Sequence, residues 1–425
     1  MRSDLLVVSA AQILTAPPGR EPLLGPDLDR PLLIEGGAVA CVDGRVAAVG
    51  PASEVLARYP EKEATRVLDA SGRLVAPGFV DCHTHLPFAG SREMEFEARA
   101  RGASYEAIAA NGGGIRASVR MTRAASEADL TAAVALRLEC LLAQGTTTVE
   151  AKSGYGLSLD EERKQLRAAT RAGAASPVEV IPTFLGAHEV PDEFRSRRAD
   201  YVALLAGEMI PAVAREGLAR FCDVFCDRGV FTVDESRTIL EAGKAHGLKP
   251  KLHADELADV GAAALAAETR AISADHLLHA NDAGLRAMAQ AGTVAVLLPG
   301  TAFTLGLRYA RARDMISMGL PVALATDWNP GSTMSSSMAL AMTLAVTQMR
   351  ITPGEAWMAA TANAAAALGA ADRLGRIAPG FEADFCLFET PDYRHVSYHY
   401  GHDHTLAVVK GGRLAWERVG TSICS

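Results

Sequence analysis

The sequence predicts an α/β protein: an eight-stranded (β/α)8 barrel of the TIM type, with a small β-sandwich domain built from both chain ends. Three observations lead there. Between about residues 75 and 375, apolar runs of strand length alternate with helix-length segments, the pattern of repeated βα units around a parallel sheet. Eight such runs can be read, and His85 and Asp327, which mark the first and the last, are 242 positions apart, close to the ~250 residues of such a barrel. Residues able to bind metal or move protons end several of these runs, where a barrel places its active site.

In chain order, the sequence up to about Leu74 reads as short strands with turns. Residues 38–42 and 45–49 flank Asp43-Gly44, a strong hairpin signal. A similar pattern returns after about Arg376, in residues 383–388 and 406–414. Residues 1–74 and 376–425 are therefore expected to share the small β domain, and 75–375 to form the barrel. The first barrel strand runs through Phe79 and Val80 toward His83 and His85. Ser126 and Asp129 have capping-box spacing ahead of a helix that continues through Leu130, Val134, Leu138 and Leu141 and stops at Gly145. Strands are then expected at 146–151, 178–183, 221–225, 250–253, 271–276, 293–298 and 321–327.

Composition narrows the partners. The chain has 425 residues, 49% of them hydrophobic, and a mean hydropathy of +0.11, enough for one large core or two moderate ones. Lys and Arg number 42 against 50 Asp and Glu, a net charge of -8. No basic run could neutralise a row of phosphates, which argues against nucleic acid. No run approaches the ~20 apolar residues of a membrane span, and the first residues, with Asp4 early, lack a signal-peptide pattern. Seven cysteines scattered from Cys41 to Cys424 form no disulfide framework, so a cytoplasmic location is expected. Cys222 and Cys226 read as buried thiols. A small-molecule substrate is expected, and a homodimer is the base-rate assembly.

On a strand, residues i and i+2 point to one face, so His83 and His85 would offer two imidazole nitrogens to one point. His253, His276 and Asp327 end later strands. His83, His85, His253 and Asp327 together would hold one divalent ion, which lowers the pKa of a bound water toward ~7. Each residue also has a plainer reading. A lone histidine at a strand end is usually a hydrogen-bonded structural residue, and Asp327 ahead of Asn329-Pro330-Gly331 could start a turn. Agreement in position favours the metal. His395, His399, His402 and His404 also have metal-like spacing, but no strand scaffold would preorganise them, and they are expected to form a solvated turn. Three nitrogens and one carboxylate suit zinc and iron alike.

Over most of its length the sequence resembles the amidohydrolase superfamily of metal-dependent hydrolases, and within it the imidazolonepropionase family. PGFVDCHTH at 77–85 is shared across the superfamily. SGYGL at 153–157, GAHEVP at 186–191 and ATDWNPGS at 325–332 are more specific, and KLHADE at 251–256 and SADHL at 273–277 extend the match. The resemblance implies hydrolysis of the cyclic amide of 4-imidazolone-5-propanoate to N-formimidoyl-L-glutamate in histidine degradation. It implies one zinc or iron ion per chain on His83, His85, His253 and Asp327. Arg92 would receive the propionate carboxylate, which a guanidinium can bond bidentately. Tyr105, Tyr155 and His188 would make further substrate contacts, and Glu256 would accept a hydrogen bond from a ring N–H. Asn329, Gly331 and Ser332 would form the loop on the product side.

In the expected mechanism the metal-activated water attacks the ring carbonyl and His276 helps to stabilise the oxyanion. Asp327 moves the proton to the leaving ring nitrogen, so His276, Asp327 and Glu256 are the catalytic candidates. Trp328 departs from the smaller residue that the resemblance leads one to expect there. The fourth strand lacks the lysine that binuclear members carboxylate, so a mononuclear site is expected. A rival reading is an aminohydrolase that deaminates a heterocyclic base with nearly the same metal set, against which Arg92, Tyr155 and His188 argue. Another is a non-catalytic scaffold, against which the complete ligand set argues.

Overall fold

The chain opens in a mixed sheet and returns to it at the end. The structure is a computed structural model that describes residues 1–103 and 112–420. Leu5–Thr15 (β1), Leu32–Val42 (β2), Arg45–Pro51 (β3), Val67–Asp69 (β4) and Leu74–Pro77 (β5) begin the mixed sheet. Eight barrel strands follow: Phe79–Asp81 (β6), Thr146–Lys152 (β7), Glu179–Ala187 (β8), Phe221–Cys226 (β9), Lys249–Ala254 (β10), Ser273–His276 (β11), Val294–Leu297 (β12) and Val322–Leu324 (β13). Phe385–Phe388 (β14), Thr405–Lys410 (β15) and Arg413–Glu417 (β16) then complete the mixed sheet, in the order β16-β15-β14-β5-β1-β2-β3 with β4 beside β1.

The expected sandwich takes the form of one sheet folded over on itself. Asp43 and Gly44, with φ of 49° and 75°, make the tight turn between β2 and β3 that the twist of paired strands favours. Beyond it, Val46 N–H donates to Phe381 O, and Gly380 N–H to Val46 O, both at 2.9 Å. These bonds tie the edge strand β3 to the segment that leads into β14. Val7, Ile13, Val39, Val75, Phe385 and Leu387 fill the space enclosed. The sheet extends to Pro77 rather than stopping at Leu74. Residues 406–414, read as one run, are two strands, because Gly411 and Gly412 turn the chain with φ of 54° and 69°.

In the barrel, each strand pairs in parallel with its neighbour from β6 through β13. The ring closes just beyond the ends of β6 and β13, where Thr84 bridges Trp328. Asp327 N–H donates to His83 O and His85 N–H to Trp328 O, each at 3.0 Å. This corrects one expectation: β6 ends at Asp81, so His83 and His85 follow the strand rather than lie on it. The bridge at Thr84 keeps that stretch paired, and both side chains still reach the same place. Asp327 likewise lies past the end of β13.

The helices pack outside. Glu127–Ala143 starts at Ser126, whose hydroxyl accepts the Asp129 N–H at 3.1 Å, and gives way to Gly145 at a φ of 89°. Leu130, Val134, Leu138 and Leu141 are its buried stripe. Cys222 and Cys226 are free, buried thiols in β9. The expected solvated turn at 395–404 is instead part helix, Arg394–Tyr398. His404 is buried and its Nδ1 lies 3.3 Å from Glu389 O, because β15 starts at the next residue. Among the described residues no helix is long and apolar enough to cross a membrane.

Trp357 joins barrel and mixed sheet. Fully buried, it stacks on Phe79 at 5.1 Å and meets Phe388 edge-on at 5.5 Å, and its Nε1–H donates to Tyr393 O at 3.0 Å. Trp357→Ala should cost about 3–5 kcal/mol, read as a lower guanidinium chloride midpoint, whereas Trp357→Phe should cost distinctly less. Equal losses from the two variants would mean that the indole contacts contribute little beyond a phenyl ring.

Candidate metal centre

The seam of the barrel brings His83, His85 and Asp327 together, and β10 adds His253. His83 Nε2 and His85 Nε2 lie 3.4 and 3.5 Å from Asp327 Oδ1, and His253 Nε2 lies 3.5 Å from His85 Nε2. Ligands about 2.1 Å from a tetrahedral ion are about 3.4 Å from one another, so these separations match the edges of such a site. His83 Nε2 and Asp327 Oδ1 are buried without a hydrogen-bond partner. That is costly for polar atoms unless something such as an ion completes them. Two further imidazoles border the space, His188 beside His85 and His253, and His276 beside His83 and His253.

The protonation states suit a cation. Burial pushes His85 down, His253 to about 3, His276 to about 4 and His188 well below the ordinary value, so these imidazoles are neutral. Burial works to raise Asp327, but the close imidazoles of His83 and His85 hold it well below the usual carboxylate range. Burial also lowers His83, yet Asp275 and Asp327 on its two sides carry it up to about 9. A metal ion held at Nε2 would take the place of that proton.

Beneath the donors lies a layer of fully buried charges. Asp275 Oδ2 is 2.6 Å from His83 Nδ1, and Asp223 Oδ2 is 3.1 Å from His253 Nδ1. Lys152 Nζ reaches Asp223 at 2.7 Å, Glu150 at 2.9 Å and Asp275 at 3.6 Å, and Lys251 Nζ reaches Glu150 at 3.0 Å. Burial disfavours the ammonium of Lys152, but its carboxylate neighbours, Asp223 first, raise it above the ordinary lysine value. Its Nζ is thus engaged by three carboxylates rather than turned toward the candidate donors. Among the described residues Asp327 has two further partners: Thr301 Oγ1 donates to its Oδ2 at 2.5 Å, and Ser332 Oγ at 3.2 Å.

Those expected substrate residues that are described gather at the mouth. Nε and Nη2 of Arg92 both donate to Glu95 Oε2, at 3.0 and 2.7 Å. Its guanidinium packs against Gly331 so closely that a Cβ there would collide with it. Tyr155 and His188 face His85, with ring centroids 5.8 and 5.0 Å away. His188 Nδ1 is 3.1 Å from Gly154 O, which leaves Nε2 for the site. The Tyr155 loop is held from below by buried Glu162, which accepts the N–H groups of Gly154, Gly156 and Leu157 at 3.0, 2.8 and 2.7 Å. Glu256 Oε2 lies 3.6 Å from His276 Nε2, and burial, then the charge of Asp327, pushes its carboxyl up to about 8.

Asn329, Gly331 and Ser332 form a closed loop. Asn329 Oδ1 accepts from the backbone N–H of Gly331 and Ser332 at 2.7 and 2.9 Å, and its Nδ2 donates to Asp327 O and Ser332 Oγ, both at 2.8 Å. The Asn329 amide is thus committed within its own loop. Trp328 supplies backbone to the seam while its side chain joins the core. Tyr105 lies outside the described residues. A separate cavity of about 290 Å³, lined by Phe79, Gln144, Phe388, His402 and His404, includes none of these residues.

Sequence reasoning did not assign Asp223, Asp275, Glu150, Lys251, Glu162 or Thr301 to the site. For Glu150, Asp223, Lys251 and Asp275 the available signal was charge inside apolar strands: in a barrel whose outer face is covered by helices, such a side chain has to point inward. Glu162 and Thr301 lie in helices and gave no such signal.

Comparison with known proteins gives the family. A model of the amidohydrolase family matches residues 74–415, and one of the imidazolonepropionase-like composite domain of bacteria matches residues 37–61. The imidazolonepropionase of Symbiobacterium thermophilum is 54% identical over 413 residues, covering 97% of each chain. That of Haloarcula marismortui is 50% identical over 380 residues, covering 89% of this chain and 90% of its own. Among solved structures, E. coli guanine deaminase superposes with a TM-score of 0.70 at 18% identity, covering 97% of this chain and 99% of its own. A 5-methylcytosine deaminase from Klebsiella pneumoniae does so with a TM-score of 0.72 at 16% identity, covering 97% and 98%. At those identities the two structures speak for the fold alone. The chain belongs to the amidohydrolase family and, within it, to the imidazolonepropionases.

Proposed function

We propose that this protein hydrolyses the cyclic amide of 4-imidazolone-5-propanoate to N-formimidoyl-L-glutamate, a step of histidine degradation. The observation that carries the reading is that Arg92 packs against Gly331, in the loop that leads out of Asp327, while Asp327 stands with His83, His85 and His253 as four candidate donors. A carboxylate-bearing ring seated there would present its carbonyl to the donors and its propionate to the guanidinium. One zinc or iron ion per chain, a homodimer, a cytoplasmic location and a division into 1–74 with 376–425 and 75–375 belong to the same proposal.

A divalent ion held by the four donors supplies Lewis-acid polarisation and makes water nucleophilic at neutral pH. Asp327, ionised and anchored through Oδ2 by Thr301 and Ser332, accepts a proton from the attacking water and returns it to the leaving ring nitrogen. His276, neutral and bordering the donors, hydrogen-bonds the carbonyl oxygen as charge develops on it. Glu256, beside His276, accepts a hydrogen bond from a ring N–H. Tyr155 and His188 wall the ring.

Turnover of 4-imidazolone-5-propanoate, followed by product mass with metal content on the same sample, tests the reading. Formimidoylglutamate should appear, and release of ammonia from guanine or 5-methylcytosine instead would overturn it. His276→Ala should lower kcat by about 100-fold or more with metal content unchanged; loss of both together would make His276 a ligand or a structural residue. Arg92→Met should raise KM by about 10-fold to 100-fold, the scale of one charge-assisted hydrogen bond, and a wild-type KM would remove the propionate from Arg92.

Glu256 gives a pH dependence with a definite sign. In the metal-free protein its value rises from 4.5 to about 8, so between those values the folded state holds a proton that the unfolded chain has lost. Its contribution to stability therefore declines as pH rises through that window. Glu256→Gln cannot ionise, so relative to wild type it should gain stability from pH 5 to pH 8 in guanidinium chloride unfolding of chelated protein. A difference that stays constant across that range would show that Glu256 ionises normally.

A further inference from the structure

The ammonium of Lys152 touches no donor imidazole, yet it contacts both carboxylates that do. Lys152, Asp223 and Asp275 come from β7, β9 and β11, alternate strands of the barrel, and alternate strands contribute to one layer of its interior. In that layer Asp275 Oδ2 meets His83 Nδ1 at 2.6 Å and Lys152 Nζ at 3.6 Å, while Asp223 Oδ2 meets His253 Nδ1 at 3.1 Å and Lys152 Nζ at 2.7 Å. One oxygen of each carboxylate is thus shared between a histidine and the same ammonium. The remaining oxygens are also held, Asp275 Oδ1 by the Ser273 hydroxyl at 2.6 Å and Asp223 Oδ1 by the His253 backbone N–H at 3.2 Å.

We propose that Lys152 is a positioning residue for the metal: by holding Asp223 and Asp275 to one point it fixes the rings of His253 and His83, and with them the spacing of the donors. The inference rests on the metal-centre reading above. A carboxylate that takes the Nδ1–H of an imidazole fixes its tautomer and ring direction and leaves Nε2 for a metal. Here Asp275, hydrogen-bonded to His83 Nδ1, and Asp223, whose Oδ2 lies 3.1 Å from His253 Nδ1, are coupled through a single cation, so displacing it loosens the supports of both rings at once. Lys251 offers no substitute, since its Nζ lies 3.0 Å from Glu150 but 4.0 Å from Asp275, and it has no contact with Asp223 among the described residues.

A purely electrostatic role makes the opposite prediction. Lys152 and Lys251 stand against Glu150, Asp223 and Asp275, leaving the cluster one negative charge; removing a lysine makes it more negative and should tighten the hold on a dication. Positioning predicts weaker binding.

The experiment compares the full-length protein with Lys152→Met and Lys251→Met, measuring zinc affinity by competition with a chromophoric chelator and the visible absorption of the cobalt(II)-loaded proteins. Lys152→Met should weaken zinc binding about 10-fold to 100-fold, the range for loss of a group that orients metal ligands, and alter the intensity of the cobalt bands. Lys251→Met, with the same loss of charge, should do neither to that extent. If Lys152→Met does not fold, Lys152→Gln, which keeps a donor toward the carboxylates, should show the same changes to a smaller degree. Zinc affinity within twofold of wild type, tighter binding, or equal weakening by Lys251→Met would each overturn the proposal. Failure of the unaltered protein to bind zinc or cobalt would overturn the metal-centre reading itself, and the two failures are told apart by that control.

Discussion

Two backbone hydrogen bonds, Asp327 N–H to His83 O and His85 N–H to Trp328 O, join the first and last segments of the barrel, and the geometry of the mouth depends on them. The residues that close the ring are the ones that carry three of the four proposed donor atoms. Their separations are therefore set by main chain paired to main chain, a stiffer frame than side chains on free loops would give. Asp327 and His276 adopt left-handed backbone, with φ of 56° and 75°. For residues with a Cβ that conformation persists only where the surroundings hold it, and here the seam and the ends of the parallel strands do so.

Below the mouth, the barrel interior departs from the apolar filling usual in this architecture. Several ionised groups sit at zero exposure, and each has a partner of opposite sign or a hydrogen-bond donor. Buried ion pairs seldom add net stability, because desolvation offsets attraction. Their presence in one layer under the donors is understandable as a way to aim imidazoles, which an apolar layer could not do. The fold leaves that choice open, as the deaminase structures of similar shape illustrate, and chemistry follows from the side chains placed on it.

Much of this was legible in the sequence, for identifiable reasons. The alternation of apolar runs gave all eight barrel strands, and histidines or aspartate at the ends of four of them pointed to one mouth. The Asp43-Gly44 turn and the Ser126 capping box were readable because each depends on residues only a few positions apart. The roles expected of Arg92, Tyr155 and His188 rest on resemblance alone, since nothing in their local spacing distinguishes them from a surface ion pair or a buried ring. Asp223 and Asp275 escaped because their partners lie on other strands, and pairing across a barrel leaves no short-range pattern. His404 was misread for the same reason: its burial is decided by β15 and by the carbonyl of Glu389, fifteen positions earlier.

Two loops at the mouth are tied by their own side chains, one through Glu162 under Tyr155 and the other through the amide of Asn329. The conformational entropy of ordering them is lost when the chain folds, before any ligand arrives. A molecule entering between them meets a surface whose shape is already fixed. At these two loops, discrimination would rest on misfit against a surface formed in advance.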